Sequence, residues 1–398
     1  MPSSALDRRG IALLSLGHML TDINGGAIPA LLPVLVAQRG LSYVAASGIV
    51  VASTVISSVV QPLLGYASDR RPAPWLMIAG VLLANLGLAL VGVAPAYWLI
   101  IASVLLCGMG VAMFHPEGYR FANYVAGEQP ARGMSFFSVG GNAGSALGPL
   151  VATALIAAFG LRGIGLMMLP ASVMAVVLWR SLPRFETYRP KAAAPRAGAA
   201  GQTADWPALS RLVLVIIVRS SLYYGLLTFV PLYFTQVRHA SLATANGALT
   251  CLSLAGIVGT LAAGQVADRF GRKRMLLALL VAIAPLMLAF LFASDAAAFV
   301  WVALIGMALV ATFMIAVVLG QEYVPTQVGV ASGLTTGLAT GLGGLTTPAL
   351  GLIADQRGVT TALYVLAGLP ILAAVLAATL PRDAAQEATT PSPAVHPE

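Results

Sequence analysis

Runs of apolar residues long enough to cross a bilayer recur from one end of the chain to the other, and no other feature narrows the fold as much. About 20 such residues span the hydrocarbon core as a helix, which satisfies its own backbone polar groups there. Twelve spans are predicted, at about residues 11–36, 43–67, 75–94, 97–118, 132–159, 162–180, 209–236, 243–267, 274–294, 297–320, 328–354 and 359–380. Pro29, Pro33, Pro149, Pro231, Pro285 and Pro348 fall inside them, which bundled membrane helices tolerate because neighbours satisfy the freed backbone groups. Only 9% of the 398 residues are charged, too few to clothe a soluble protein. The expected class is an all-α integral membrane protein whose first partner is the lipid bilayer.

A net charge of +8 does not signal nucleic acid here, because the basic residues sit in short loops between apolar runs. If the N-terminus is cytoplasmic, the external loops hold only Arg39, Arg162, Arg238 and Arg357. The remaining loop Lys and Arg, among them Arg70, Arg71, Arg132, Arg180, Arg184, Arg211, Arg269, Arg272 and Lys273, then fall inside. That asymmetry predicts both termini in the cytoplasm. The first apolar segment is too long and Pro-rich for a cleavable signal peptide. Cys107 and Cys251 stand alone in apolar segments and read as small packing residues.

Residues 181–208 break the pattern with a Pro/Ala/Gly-rich basic stretch, and the same holds beyond Pro381. They read as a cytoplasmic linker and tail, which leaves six-helix bundles at residues 1–180 and 209–380. The two halves carry the same element: Gly65-Tyr-Ala-Ser-Asp69-Arg70 ends the second span, and Gly264-Gln-Val-Ala-Asp268-Arg269-Phe-Gly271-Arg272-Lys273-Arg274 ends the eighth. Ser135, Gly140 and Gly144 keep the spacing of Ser332, Gly337 and Gly341. Such parallel repeats suit alternating access, with substrate bound between the halves.

The Gly-x-x-x-Asp-Arg-x-Gly-Arg-Lys-Arg run resembles the cytoplasmic signature of the major facilitator superfamily. It is complete in the second half and cut short in the first by Pro72 and Pro74. A narrower set is similar to the fosmidomycin resistance protein family of drug exporters. It comprises His18-x-x-x-Asp22, Gln61-Pro62-x-x-Gly65-Tyr66, Phe114-His115-Pro116-Glu117, Gly140-Gly141-Asn142-x-Gly144-Ser145-x-x-Gly148-Pro149, Gln321-Glu322 and Gly351-Leu-Ile-Ala-Asp355. The resemblance implies a pseudo-symmetric twelve-helix carrier in a bacterial inner membrane, working as a monomer without a cofactor and driven by the proton gradient. It also implies that Gly65, Asp69, Arg70, Gly264, Asp268, Arg269, Gly271 and Arg272 act as conformational latches, with Asp69 holding the eleventh helix by its N-terminus.

Ionisable side chains inside a span are costly, so each is a functional candidate. His18 and Asp22 lie four apart on one helix face, where Asp22 would take a proton when buried and release it when hydrated. Phe114-His115-Pro116-Glu117 is the most unusual local run. Removal of a backbone donor by Pro116 is expected to loosen the end of the fourth helix and aim His115 and Glu117 into the cavity. A helix-end salt bridge of Glu117 with Arg120 is the competing expectation. Arg219 lies deep in the seventh span and is expected either to pair with Asp22 or to hold an anionic phosphonate. Asn24, Asn142, Tyr223 and Tyr224 complete the candidate substrate site, although aromatic clusters more often pack. Glu322 is expected to help gate the cytoplasmic ends.

Gly144-x-x-x-Gly148-Pro149 resembles the fifth-helix motif of drug–proton antiporters, with Ala152 and Thr153 replacing its final glycines. Small residues four apart let helices approach closely, and Pro bends the span. The expected function is proton-coupled export of a small toxic compound. A symporter importing an organic acid or sugar competes with it. A membrane enzyme or signalling scaffold fits poorly, since neither a nucleophile nor a metal constellation is evident and no Walker motif is present.

Overall fold

A computed structural model describes residues 6–70, 73–127, 129–187 and 204–381; the side chains at 69, 70, 130, 131, 186, 263–265, 268, 326, 328 and 329 lie outside that description. The first half contains α1 (Arg8–Arg39), α2 (Tyr43–Arg70), α3 (Trp75–Val91), α4 (Tyr97–Val125), α5 (Pro130–Phe159) and, after the 3-10 segment Leu161–Met167, α6 (Met168–Glu186). The second half begins with α7 (Trp206–Leu232), α8 (Leu242–Phe270), α9 (Arg272–Phe292) and α10 (Asp295–Tyr323). A broken eleventh span and the last helix, Val359–Ala378, complete it. No strand occurs among the described residues.

Eleven of these stretches are long and apolar enough to cross a membrane. The remaining one, α3, has 17 residues and so rises about 26 Å, just short of a typical hydrocarbon core. It ends at Val91 rather than at the expected residue 94, and Gly92 and Val93 form a turn. α6 continues to Glu186 and α7 begins at Trp206, so both helices run into the stretch read as linker; residues 188–203 lie outside the described residues.

The counterpart helices α1 and α7 start alike. The Asp7 carboxylate accepts from Gly10 N at 3.1 Å, and that of Asp205 from Ala208 N at 2.8 Å. Each cap satisfies a donor that the first turn leaves orphaned. Gly271 joins α8 to α9 at φ 93°, a conformation open to glycine, so its visible role is the sharp turn of the repeated element.

The eleventh span is discontinuous: Val328–Ser332, a π-helical turn at Gly333–Leu338, Ala339–Gly344, then Thr347–Arg357. Thr346 and Thr347 hydroxyls donate to the Gly343 and Gly344 carbonyls at 2.9 and 2.6 Å, satisfying acceptors that the break frees.

Packing is asymmetric across the membrane. Counted with α3, the described residues form twelve apolar spans, an even number that brings the chain back to the side on which α1 starts, and there Arg211 at the start of α7 donates to Thr379 O at 2.6 Å. On this termini-bearing side each half has its own apolar cluster, Leu14, Met77, Phe114 and Leu178 in one and Leu212, Ile216, Leu280 and Ile315 in the other. On the opposite side a single cluster runs through both halves, from Leu31, Leu35 and Ile49 to Phe229, Leu249, Leu350 and Leu363. The apolar core is therefore shared by the halves at one face and divided between them at the other.

Candidate functional site

Between the halves lies a cavity of about 260 Å³, below the range of pockets that enclose drug-sized molecules. α1 contributes Asp22, Gly25, Gly26 and Pro29 to its wall, α2 Ser53, Thr54 and Ser57, and α4 Cys107, Val111 and His115. The second half contributes less, with Tyr223, Tyr224 and Leu227 from α7 and Ser253 from α8.

Three titratable groups meet at this wall. His18 Nε2 is 3.1 Å from Asp22 Oδ2, and His115 Nε2 is 3.3 Å from Asp22 Oδ1. The two Nε2 atoms are themselves 3.1 Å apart. The far nitrogen of each ring is committed elsewhere: His18 Nδ1 donates to Phe137 O at 2.8 Å, and His115 Nδ1 donates to Val111 O at 2.8 Å. A carbonyl only accepts, so each Nδ1 carries the hydrogen and each neutral ring turns a lone pair toward the carboxylate. Four acceptor atoms then face one another with no donor among them. That arrangement is stable only when it gathers positive charge, as a shared proton or as another cation.

The surroundings hold the rings in place. His18 stacks on Phe137 with centroids 4.1 Å apart and an interplanar angle of 18°, and lies edge-on to His115. His18 is buried behind Asp22, while Asp22 and His115 reach the cavity. The close crossing of α1 on α5 makes this possible. A Cβ at Gly140, Gly144 or Gly148 would strike the backbone carbonyl of Ser15, Met19 or Ile23. A Cβ at Gly141 would come within 2.5 Å of His18 Nε2 and 2.8 Å of Asp22 Oδ2. The small residues therefore serve the site as well as the packing, and Pro149 beside Gly26 completes the contact.

Other expectations meet different surroundings. Pro116 lies inside α4, which runs on to Val125, so the helix does not loosen there. Residues two apart on a continuous helix point about 200° apart, and Glu117 accordingly turns away from the cavity that His115 lines. Its Oε1 accepts from Arg120 at 3.0 Å and from Ala73 N at 2.9 Å, while Oε2 has no partner among the described residues. Arg120 in turn donates to Ser68 O and Oγ, tying the end of α2 to α4. The salt bridge expected as the competitor is the one observed.

Arg219 does not pair with Asp22. Its Nε and Nη2 donate to Leu309 O at 3.2 and 2.8 Å, and Nε also to Thr312 Oγ1 at 3.2 Å. The guanidinium carbon lies over the rings of Tyr223 and Phe313, 5.2 Å from each centroid. Backbone carbonyl and π faces replace the carboxylate expected of a buried cation. Asn24 is fully buried and donates back to Thr21 O at 2.9 Å, and Asn142 is exposed. Neither lines the cavity, whereas Tyr223 and Tyr224 do.

Glu322 pairs with Arg272 of its own half. Gly65 sits in α2 and Arg269 is exposed at the end of α8. The side chains of Asp69, Arg70, Gly264 and Asp268 lie outside the described residues.

Two residues that bridge the halves had no role in the sequence reading. Asp355 ends the eleventh span, and its carboxylate oxygens accept from Tyr43 N at 2.7 Å and Val44 N at 3.0 Å, capping α2 of the other half. Asn246 in α8 donates to Ala30 O at 3.2 Å and Thr153 Oγ1 at 2.8 Å. A buried amide inside an apolar span was the available signal for Asn246. For Asp355 it was the Gly351-x-x-x-Asp355 spacing, a third copy of the repeated glycine–aspartate step.

Comparison with known proteins agrees with this architecture. The Major Facilitator Superfamily profile matches residues 14–348. Among relatives, the uncharacterized MFS-type transporter YfnC of Bacillus subtilis (strain 168) is 32% identical over 381 residues, covering 94% of this chain and 93% of the relative. The fosmidomycin resistance protein of Escherichia coli (strain K12) is 31% identical over 367 residues, covering 91% and 90%. Similar solved folds include the inward-facing, occupied bacterial homologue of the human lysosomal transporter Spinster, at TM-score 0.75, 15% identity, and 92% and 95% coverage of the two chains. The D-xylose–proton symporter follows at TM-score 0.72, 17% identity, and 94% and 97% coverage. The chain thus belongs to the major facilitator superfamily, as a secondary active membrane transporter and not an enzyme.

Proposed function

We propose that this transporter is a proton-coupled antiporter that exports a small toxic compound, with a fosmidomycin-like phosphonate as the leading substrate class. The observation that carries the coupling is the convergence of His18, Asp22 and His115 on one point at the cavity wall. A site that needs one positive charge, and that reaches the cavity through Asp22 and His115, can exchange a proton with whatever water the cavity admits. The export direction and substrate class draw on the 31% identity to the fosmidomycin resistance protein. Arg219 supports an anionic substrate: its guanidinium has no carboxylate partner among the described residues and stacks behind Tyr223, which lines the cavity. The loop charges favour placing the termini, and therefore the face where the apolar core is divided, in the cytoplasm.

The test is drug susceptibility in an efflux-deficient host, combined with proteoliposome transport under imposed pH gradients. Expression should protect against a phosphonate drug, and Asp22→Asn should abolish both the protection and the response to the gradient. Protection against no compound would remove export, and transport indifferent to the gradient would remove the coupling.

A further inference from the structure

The same wall has the geometry of a metal site, an inference that shares residues with the proposed coupling but does not rest on it. In a tetrahedral zinc site with bonds of about 2.0–2.1 Å, neighbouring ligand atoms lie about 3.3 Å apart. Here the two Nε2 atoms are 3.1 Å apart, and each faces its own oxygen of the carboxylate, His18 at 3.1 Å from Oδ2 and His115 at 3.3 Å from Oδ1. One ligand atom from each of His18, Asp22 and His115 falls within 4.8 Å of the others. Both imidazoles present Nε2 inward and donate Nδ1–H outward to a backbone carbonyl, the outer-shell arrangement that fixes the tautomer of metal-bound histidine. Stacking on Phe137 keeps the His18 ring from turning away.

We propose that His18 Nε2, His115 Nε2 and the Asp22 carboxylate bind a divalent first-row transition-metal ion of the Zn2+ class. Two imidazoles and one carboxylate suit Zn2+, Ni2+ or Cu2+ and discriminate against Mg2+ and Ca2+, which take oxygen ligands. Three protein ligands leave the fourth position facing the cavity, open to water or to a solute there. All three ligands come from α1 and α4 of one half, so the site persists whichever face of the carrier is open. The bound ion occupies the point where the lone pairs converge and excludes a proton from it.

Calorimetric titration of the metal-stripped full-length protein with Zn2+ at a fixed pH tests this, with Mg2+ as control. The expected result is one Zn2+ per chain, no Mg2+ heat, and at least about tenfold weaker Zn2+ binding in both His115→Ala and Asp22→Asn. Tenfold is the lower bound for loss of even an outer-shell partner. Co2+ serves as a second readout: a tetrahedral visible spectrum should appear with the parent protein and vanish with His18→Ala. Unchanged Zn2+ affinity in both variants, or no Zn2+ binding by protein that still transports, would overturn the site. A transport arm separates this proposal from the coupling. Zn2+ that binds without slowing transport would sink the coupling and leave the site standing. A gradient response lost in Asp22→Asn, in protein that binds no Zn2+, would do the reverse.

Discussion

Gly141 and Gly140 are neighbours on α5 with different consequences if a methyl group is added. At Gly141 the methyl meets His18 Nε2 at 2.5 Å and Asp22 Oδ2 at 2.8 Å, so the side chains of the cluster must part. At Gly140 it meets the Ser15 carbonyl, so the α1–α5 crossing itself must widen. Gly141→Ala should therefore cut transport by about a hundredfold, the scale of an ångström of misplacement, with thermal stability little changed. Gly140→Ala should cost about 1–3 kcal/mol of stability as an overpacked contact. Melting curves and proteoliposome rates measured on both variants separate the two effects, and identical behaviour would refute the distinction. Glu117 makes the complementary case. Its carboxylate fastens Ala73 and Arg120 rather than reaching the cavity, so Glu117→Ala should cost about 1–3 kcal/mol by removing the acceptor that Ala73 N and Arg120 share, while Arg120 keeps its bonds to Ser68. Glu117→Gln should retain the response to a pH gradient that His115→Gln loses.

At the scale of elements, what was legible in the sequence and what was not divides along a physical line. Helix positions and the shared face of His18 and Asp22 follow from apolar run length and from 3.6-residue periodicity, both local properties. The arrival of His115 at that pair, and the carbonyl that holds Arg219 in place of Asp22, depend on how neighbouring helices are rotated. No single helix encodes that rotation. Pro116 misled for the opposite reason, because a local rule about helix breaking was overridden by the bundle around it. The eleventh span shows the repeated glycine–aspartate step working in plain view. Gly351 permits contact with Tyr43 and Val44, and Asp355 then caps α2. Losing an N-cap costs about 1 kcal/mol, which is about fivefold in a population ratio. Asp355→Ala should thus increase the population with the shared-core face open by about fivefold. Spin-label distances between Ala96 and Gln236, exposed on that face in the two halves, would gain a longer component. An unchanged distribution would show that the cap does not hold the halves together.

For the whole molecule, the contrast between one shared apolar cluster and two separate ones defines the step the transporter must take to finish a cycle. The cluster running from Leu31 to Leu363 has to split, together with the bonds of Asn246 and Asp355, before the cavity can open on that face. The His18–Asp22–His115 cluster makes no such demand, since all three residues belong to the first half. Locking the shared-core face should therefore stop transport while leaving the cluster intact. Asn246 and Thr153 touch at 2.8 Å across the halves, so cysteines at these positions are within reach of a short bis-methanethiosulfonate spacer, which joins each thiol through a reducible disulfide and releases methanesulfinate. With Cys107 and Cys251 replaced by alanine, the cross-linked Thr153→Cys/Asn246→Cys protein should show no net transport and recover it on reduction. It should bind Zn2+ as tightly when locked as when released. Transport through the locked protein would mean that opening of this face is not part of the cycle. Zn2+ affinity that changed with the lock would mean that the cluster does not move as a rigid unit of one half.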